Sequence, residues 1–119
     1  MLIYQGKSVY GGIAIGKLRF WGKEDTGIKC YHVSDSNAEF KRFQESAGEA
    51  KAQLESLYTV ALNEVGEENA SIFEIHKMML EDSDFINSVL KKIDMEFVNA
   101  EYAVYETGEE FAALFSKMD

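Results

Sequence analysis

The 119-residue sequence has no proline, one cysteine and one tryptophan, and its 12 basic residues are outnumbered by 21 acidic ones. With no proline and no low-complexity tract there is no proline-rich linker. The lone Cys30 excludes an internal disulfide, and no charged-then-apolar leader opens the chain, so a reducing, cytoplasmic setting is expected. Apolar runs are only a few residues long, far short of the roughly 20 needed to cross a bilayer. The shortage of Lys and Arg leaves a net charge of −9, which disfavours nucleic acid and favours steering of basic partners.

What is present is the composition of a soluble globular protein, 28% charged and 46% hydrophobic. A chain of this length buries roughly two-thirds of its unfolded surface, enough for one domain with a modest core. Residues 1–33 read as strands: Leu2, Ile3 and Tyr4, then Gly12 to Trp21, then Ile28 to Val33, separated by glycine-bearing turns. Two or three strands hardly stand alone in water, so this element needs the helices or further chain to cover it.

Residues 34–119 are helical in pattern. Ser36 followed by Glu39 predicts a capping box, and Phe40, Phe43, Ala47, Ala50, Leu54, Leu57 and Ala61 recur at alternating steps of three and four, the seam of a helix packed lengthwise on others. Gly66 is the expected stop. A second helix is predicted over about Glu67 to Leu80, and a third from Ser83 with Phe85, Val89, Leu90 and Ile93 on one face. A fourth follows the N-cap Asn99 and carries Tyr102, Ala103, Val104, Phe111, Leu114, Phe115 and Met118. Gly108 in its middle predicts a bend or a close helix contact. The expected fold is mainly α, a helical bundle with a short N-terminal β element.

Catalytic chemistry is sparse. Gly11, Gly12 and Gly16 fit neither GxGxxG nor a P-loop, and Ile13, Ala14 and Ile15 read as buried strand. Neither His32 nor His76 has a Glu three residues before it, so no helical carboxylate metal site is indicated. His76 is the only histidine on the bundle and lacks an evident team of assisting groups, which favours packing, capping or partner contact over catalysis. Cys30 reads as a small buried hydrophobe.

The segment from Gly66 to Phe85 carries more. Its acids Glu67, Glu68, Glu74, Glu81, Asp82 and Asp84 face one base, Lys77, while Ile72, Phe73, Ile75, Met78, Met79 and Leu80 cover more of the helix than one buried stripe needs. Some of them should be exposed, as in a docking surface for a basic partner, or else form a core helix with a solvated acidic back.

These residues carry a family resemblance. Gly66-Glu67-Glu68, Ile72-Phe73-Glu74, His76, Met78 and Leu80-Glu81-Asp82 resemble the GEE…IFE.H..mLED signature of the Enzyme I family of the bacterial sugar phosphotransferase system. Gly12 to Lys17 is similar to the family's GIAIGK opening, and Asn99-Ala100-Glu101 with Ala103-Val104 to its NAE.AV segment. Tyr10 and Ser83 depart from it, standing where the family has Ser and Pro.

The resemblance implies that residues 1–33 belong to an α/β phosphohistidine domain and residues 34–119 to an inserted helical subdomain that binds the carrier protein HPr. It implies an HPr-facing surface of Glu67, Glu68, Ile72, Glu74, Met78, Met79, Asp82, Asp84 and Phe85, with His76 at its edge. The family's phospho-acceptor motif GG.TSH is absent, so no catalytic residue and no cofactor is expected here. Mg2+ and homodimerisation are expected of the parent's C-terminal domain. The resemblance points to an N-terminal portion that docks HPr without transferring phosphate alone. A phospho-accepting His76, a stand-alone helical adaptor or dimer built on the heptad seam, and a nitrogen-related paralogous system are the alternatives.

Overall fold

A computed structural model of the chain describes residues 1–3, 5–19 and 27–118. Four helices follow in order: α1 (Ser36–Val65), α2 (Glu67–Glu81), α3 (Ser83–Glu96) and α4 (Ala100–Phe115). Single residues separate the first three. Gly66 adopts φ 83°, ψ 169°, a conformation open essentially to glycine alone, and so ends α1 and reverses the chain. Asp82 is extended, and its side chain accepts from the Phe85 amide at 2.9 Å, so the break before α3 forms with Ser83, not proline, as the first helical residue.

α1 starts differently from the expected capping box. Asp35, not Ser36, is the N-cap and accepts from the amides of Asn37 and Ala38, both at 3.0 Å. Ser36 instead donates to Asp94 of α3 at 3.1 Å. Glu39 is also drawn elsewhere: its Oε1 accepts from the Ala100 amide at 2.7 Å and so caps α4 across the bundle. Asn99 holds the N-cap position of α4 but makes no side-chain cap bond there. Its side chain is buried and turned to the incoming chain, where Oδ1 accepts from Tyr31 N (3.0 Å) and Nδ2 donates to Lys29 O (3.1 Å). Backbone bonds from Val33 N to Phe97 O and from Asn99 N to Tyr31 O complete the junction.

The core lies at this end. Phe43 of α1, Val89 and Ile93 of α3, Val98, and Ala100 and Ala103 of α4 are buried together, flanked by Phe40, Ala47, Phe85, Ile86, Leu90, Tyr102 and Val104. The larger of these contribute roughly 1.5–3 kcal/mol each when fully buried. Lys92 ties α3 to α4 through Glu110 (2.7 Å) and Glu106 (3.2 Å). The C-terminal half of α1 runs past this core and carries α2, which folds back along it with Ala70 fully buried at the contact.

The β expectation is corrected. Among the described residues the β pairing is one isolated antiparallel bridge, His32 with Val98, and no strand forms. Leu2, Ile3, Val9, Tyr10, Ile13, Ile15 and Leu18 are exposed, so Ile13 and Ile15 are not buried strand. Alternating apolar residues form a sheet only when neighbouring strands take up their amides and a second layer covers one face, and neither is supplied here. Tyr4, Phe20 and Trp21 lie outside the described residues. Cys30 is exposed rather than buried, because residues 29–33 lie over the α3–α4 corner instead of inside a sheet. Among the described residues no helix is long and apolar enough to cross a membrane.

Gly108 makes no close contact that the fold needs: α4 is continuous through it, and a methyl group built there meets nothing within 4 Å. Gly108→Ala is therefore expected to raise the unfolding free energy by about 0.5–1 kcal/mol, read from urea denaturation. A loss of stability would show a packing role that the free space does not reveal.

A pH dependence follows from the corner. Arg42 donates to Glu101 (2.7 and 2.6 Å) and to Glu39 (2.6 and 3.2 Å). Chiefly through the Arg42 hydrogen bonds, Glu101 is held down at about 2 and Glu39 is lowered as well. Both carboxylates return to ordinary values on unfolding, so their stabilisation is complete above the usual 4.5 and is lost as pH falls toward about 2. Stability should drop across that window, and Glu101→Gln should flatten the drop; an unchanged acid limb in the variant would remove Glu101 from the account.

Candidate docking surface

α2 turns its two flanks to different surroundings. Ala70, Phe73, Lys77 and Leu80 are buried or half-buried toward α1. At about 100° per residue, Glu68, Ile72, Ile75 and Met79 fall on the opposite flank, spaced four, three and four. Ile72, Ile75 and Met79 are 47%, 51% and 55% exposed, and neighbouring Met78 is 64% exposed. The surplus of apolar residues over one buried stripe thus emerges as an exposed apolar band.

Below this band the chain opens a groove of about 610 Å³. Ile75, His76, Met78, Met79 and Leu80 of α2 form one wall, Asp82 and Phe85 the junction with α3, and Leu54, Phe111 and Phe115 the facing side. Phe85 and Phe111 meet edge to face at 5.7 Å, and Phe111 meets Phe115 likewise at 6.3 Å. The aromatic floor is thereby fixed in orientation.

The acids divide by position. Lys77, the one base of α2, pairs with Glu55 of α1 at 3.6 Å, and Glu81 pairs with Lys51 at 3.7 Å, so both serve the α1–α2 contact. Glu67 and Glu68 stand exposed in the first turn of α2 and Asp84 in that of α3, where acids suit the positive end of a helix.

Of the ten residues expected from the sequence, His76, Met78, Met79, Asp82 and Phe85 line the groove together. Ile72 lies on the same band one turn earlier, with Glu68 one turn before it, and Asp84 adjoins Phe85. Glu74 is placed apart, in a small cleft with Leu54, Glu55, Tyr58, Phe73 and Lys77 on the α1 side. Glu67 shares that other flank of α2. Ile75, Leu54, Phe111 and Phe115 are groove residues that the expected surface lacked. Ile75 was accessible from its i+3 spacing after Ile72, whereas Phe111 and Phe115 depend on where α3 and α4 place the far side of the groove. Among the described residues no group of three or more His, Cys, Asp and Glu could hold a metal ion.

Comparison with known proteins identifies what the chain is similar to. Residues 5–119 match the family described as PEP-utilising enzyme, N-terminal. The phosphoenolpyruvate-protein phosphotransferase of Bacillus subtilis (strain 168) is 37% identical over 115 residues, covering 97% of this chain and 20% of the relative. The proteins of the same name from Geobacillus stearothermophilus and Priestia megaterium are 37% and 34% identical, with 96% and 97% of this chain and 20% of each relative covered. The chain spans about a fifth of the length of the curated relatives it matches.

If the exposed band serves recognition and not folding, Ile72→Ser and Met79→Ser should each leave the unfolding free energy within about 0.5 kcal/mol of the parent chain. Leu80→Ala, on the α1 side, should cost about 1–2 kcal/mol, less than a fully buried leucine would. Serine variants as damaging as Leu80→Ala would return the band to the core.

Proposed function

The chain belongs to the PEP-utilising enzyme, N-terminal family, and we propose that its helical bundle docks the small basic phosphocarrier HPr for the phosphoenolpyruvate-protein phosphotransferase (Enzyme I) of the sugar phosphotransferase system. The observation that carries this reading is the exposed band of Ile72, Ile75 and Met79, headed by Glu68 and continuous with an apolar groove at Met78 and Phe85. Charge and shape divide the work. The net charge of −9 raises the encounter rate with a basic protein, while the methionines and isoleucines supply the desolvated centre that holds it. Individual rim acids contribute about 0–1 kcal/mol each, so the acids select and orient more than they bind.

The docking surface is the recognition half of a longer reaction. Phosphoryl transfer from phosphoenolpyruvate needs an acceptor histidine, and the GG.TSH pattern is absent from these 119 residues. Residues 1–33 are proposed to complete the sheet of the α/β phosphohistidine domain, which would cover Leu2, Ile3, Val9, Ile13 and Ile15 and satisfy their strand pattern. Mg2+ and dimerisation are proposed for a further domain of the parent. The setting is cytoplasmic. No observation favours a stand-alone adaptor.

Titration of the chain with HPr, followed by NMR, should shift Glu68, Ile72, Ile75, Met78, Met79 and Asp84 and weaken as salt is raised. Met79→Ala should weaken binding by about tenfold or more, about 1.4 kcal/mol. Shifts confined to the outer face of α3, around Lys91 and Asp94, would overturn the assignment.

A further inference from the structure

α2 packs closely along α1 but buries fewer of its side chains than α3 or α4 does. It rests on the distal half of α1, meets α3 only near their junction, and its backbone does not approach that of α4, from which the groove separates it. Of its 15 residues only Ala70 is fully buried, whereas α3 buries Val89 and Ile93 and α4 buries Ala100, Ala103 and Thr107. The ion pairs that bind it to α1, Lys77 to Glu55 and Lys51 to Glu81, are 3.6 and 3.7 Å long and largely exposed, which makes them weak. Both ends are single-residue breaks in the helical backbone, Gly66 and Asp82. A helix of this length is marginal by itself in water, so its persistence depends on that one apolar contact.

From this distribution we infer that α2 opens as a unit, hinged at Gly66 and Asp82, while the core of α1, α3 and α4 stays folded, and that occupation of its exposed band closes it. The second clause rests on the docking reading proposed above. Ala70 and Phe73, which hold α2 against α1, lie on the flank turned from the partner, whereas Ile72, Ile75 and Met79 lie on the flank offered to it. A ligand that binds only the closed helix stabilises it by mass action without touching the α1 contact. Recognition and local order are then one equilibrium.

Native-state hydrogen exchange on this chain, over a series of low urea concentrations, tests the inference. Amides of α2 should exchange at least tenfold faster than those around Val89, Ile93 and Ala103, through openings with a weak urea dependence. Phe73→Ala should speed exchange in α2 about tenfold further and leave the α3 and α4 amides at their original rates. Equal protection and equal urea dependence in α2 and the core would overturn the opening unit, as would a Phe73→Ala effect spread evenly over all four helices. With HPr added to about 100 times its dissociation constant, protection along the whole of α2 should rise about a hundredfold. HPr bound by calorimetry with α2 protection unchanged would overturn the closing step. Absence of any HPr binding, with α2 still opening separately, would overturn the docking reading and its closing clause together and leave the hinged unit standing.

Discussion

Everything in this fold depends on how the corner between α3 and α4 satisfies its polar groups. The chain must turn there, and Phe97 takes a left-handed conformation (φ 51°, ψ 41°) to do so, at a cost that a non-glycine residue bears of roughly 1–2 kcal/mol. Asn99, the natural cap for α4, is instead committed to the incoming segment, and Glu39 reaches from α1 to cap Ala100. A polar side chain buried this deeply is costly unless its partners are in place, so the exchange of roles binds three distant parts of the chain into one condition. Glu101 and Arg42 complete it, each held by the other and by Asn99 or Glu39.

The consequence is an uneven molecule. Large apolar side chains and the polar junction gather where the first half of α1 meets α3 and α4, and the hairpin of α1 and α2 projects beyond them. Stability concentrated at one end leaves the other free to carry apolar residues on its surface.

The helical architecture was legible because its signals are local. Alternating three- and four-residue spacing marks α1, Gly66 and Asp82 mark the breaks, and the excess of apolar residues in α2 announces exposure before any neighbour is known. The capping box failed because Ser36 and Glu39 have better partners far along the chain, in Asp94 and Ala100. The close contact expected at Gly108 is absent because a glycine in a helix can be tolerated without being required. The strands failed for a deeper reason: the N-terminal segment carries a pattern that becomes structure only with a covering layer, and among the described residues none lies over it. In the docking surface the α2 residues were readable from spacing, whereas Leu54, Phe111 and Phe115 entered through helix crossing, which one sequence does not encode in any short window.

The placement of charge explains why so acidic a surface still needs its methionines. Pairing Lys77 with Glu55 and Lys51 with Glu81 uses nearby positive charge to hold α2, so the exposed end of the helix is left with Glu67 and Glu68 and the next with Asp84. At physiological ionic strength their field decays over roughly 8 Å, long enough to orient an approaching basic protein and too short to retain it. Retention requires area removed from water, and Ile72, Ile75, Met78 and Met79 are the side chains that have it to give. Methionine suits this position because its unbranched, polarisable side chain adjusts to the surface it meets. If α2 opens and docks as proposed, a helix so apolar on its open flank would be more stable with a partner than without one, and that difference would couple recognition to folding.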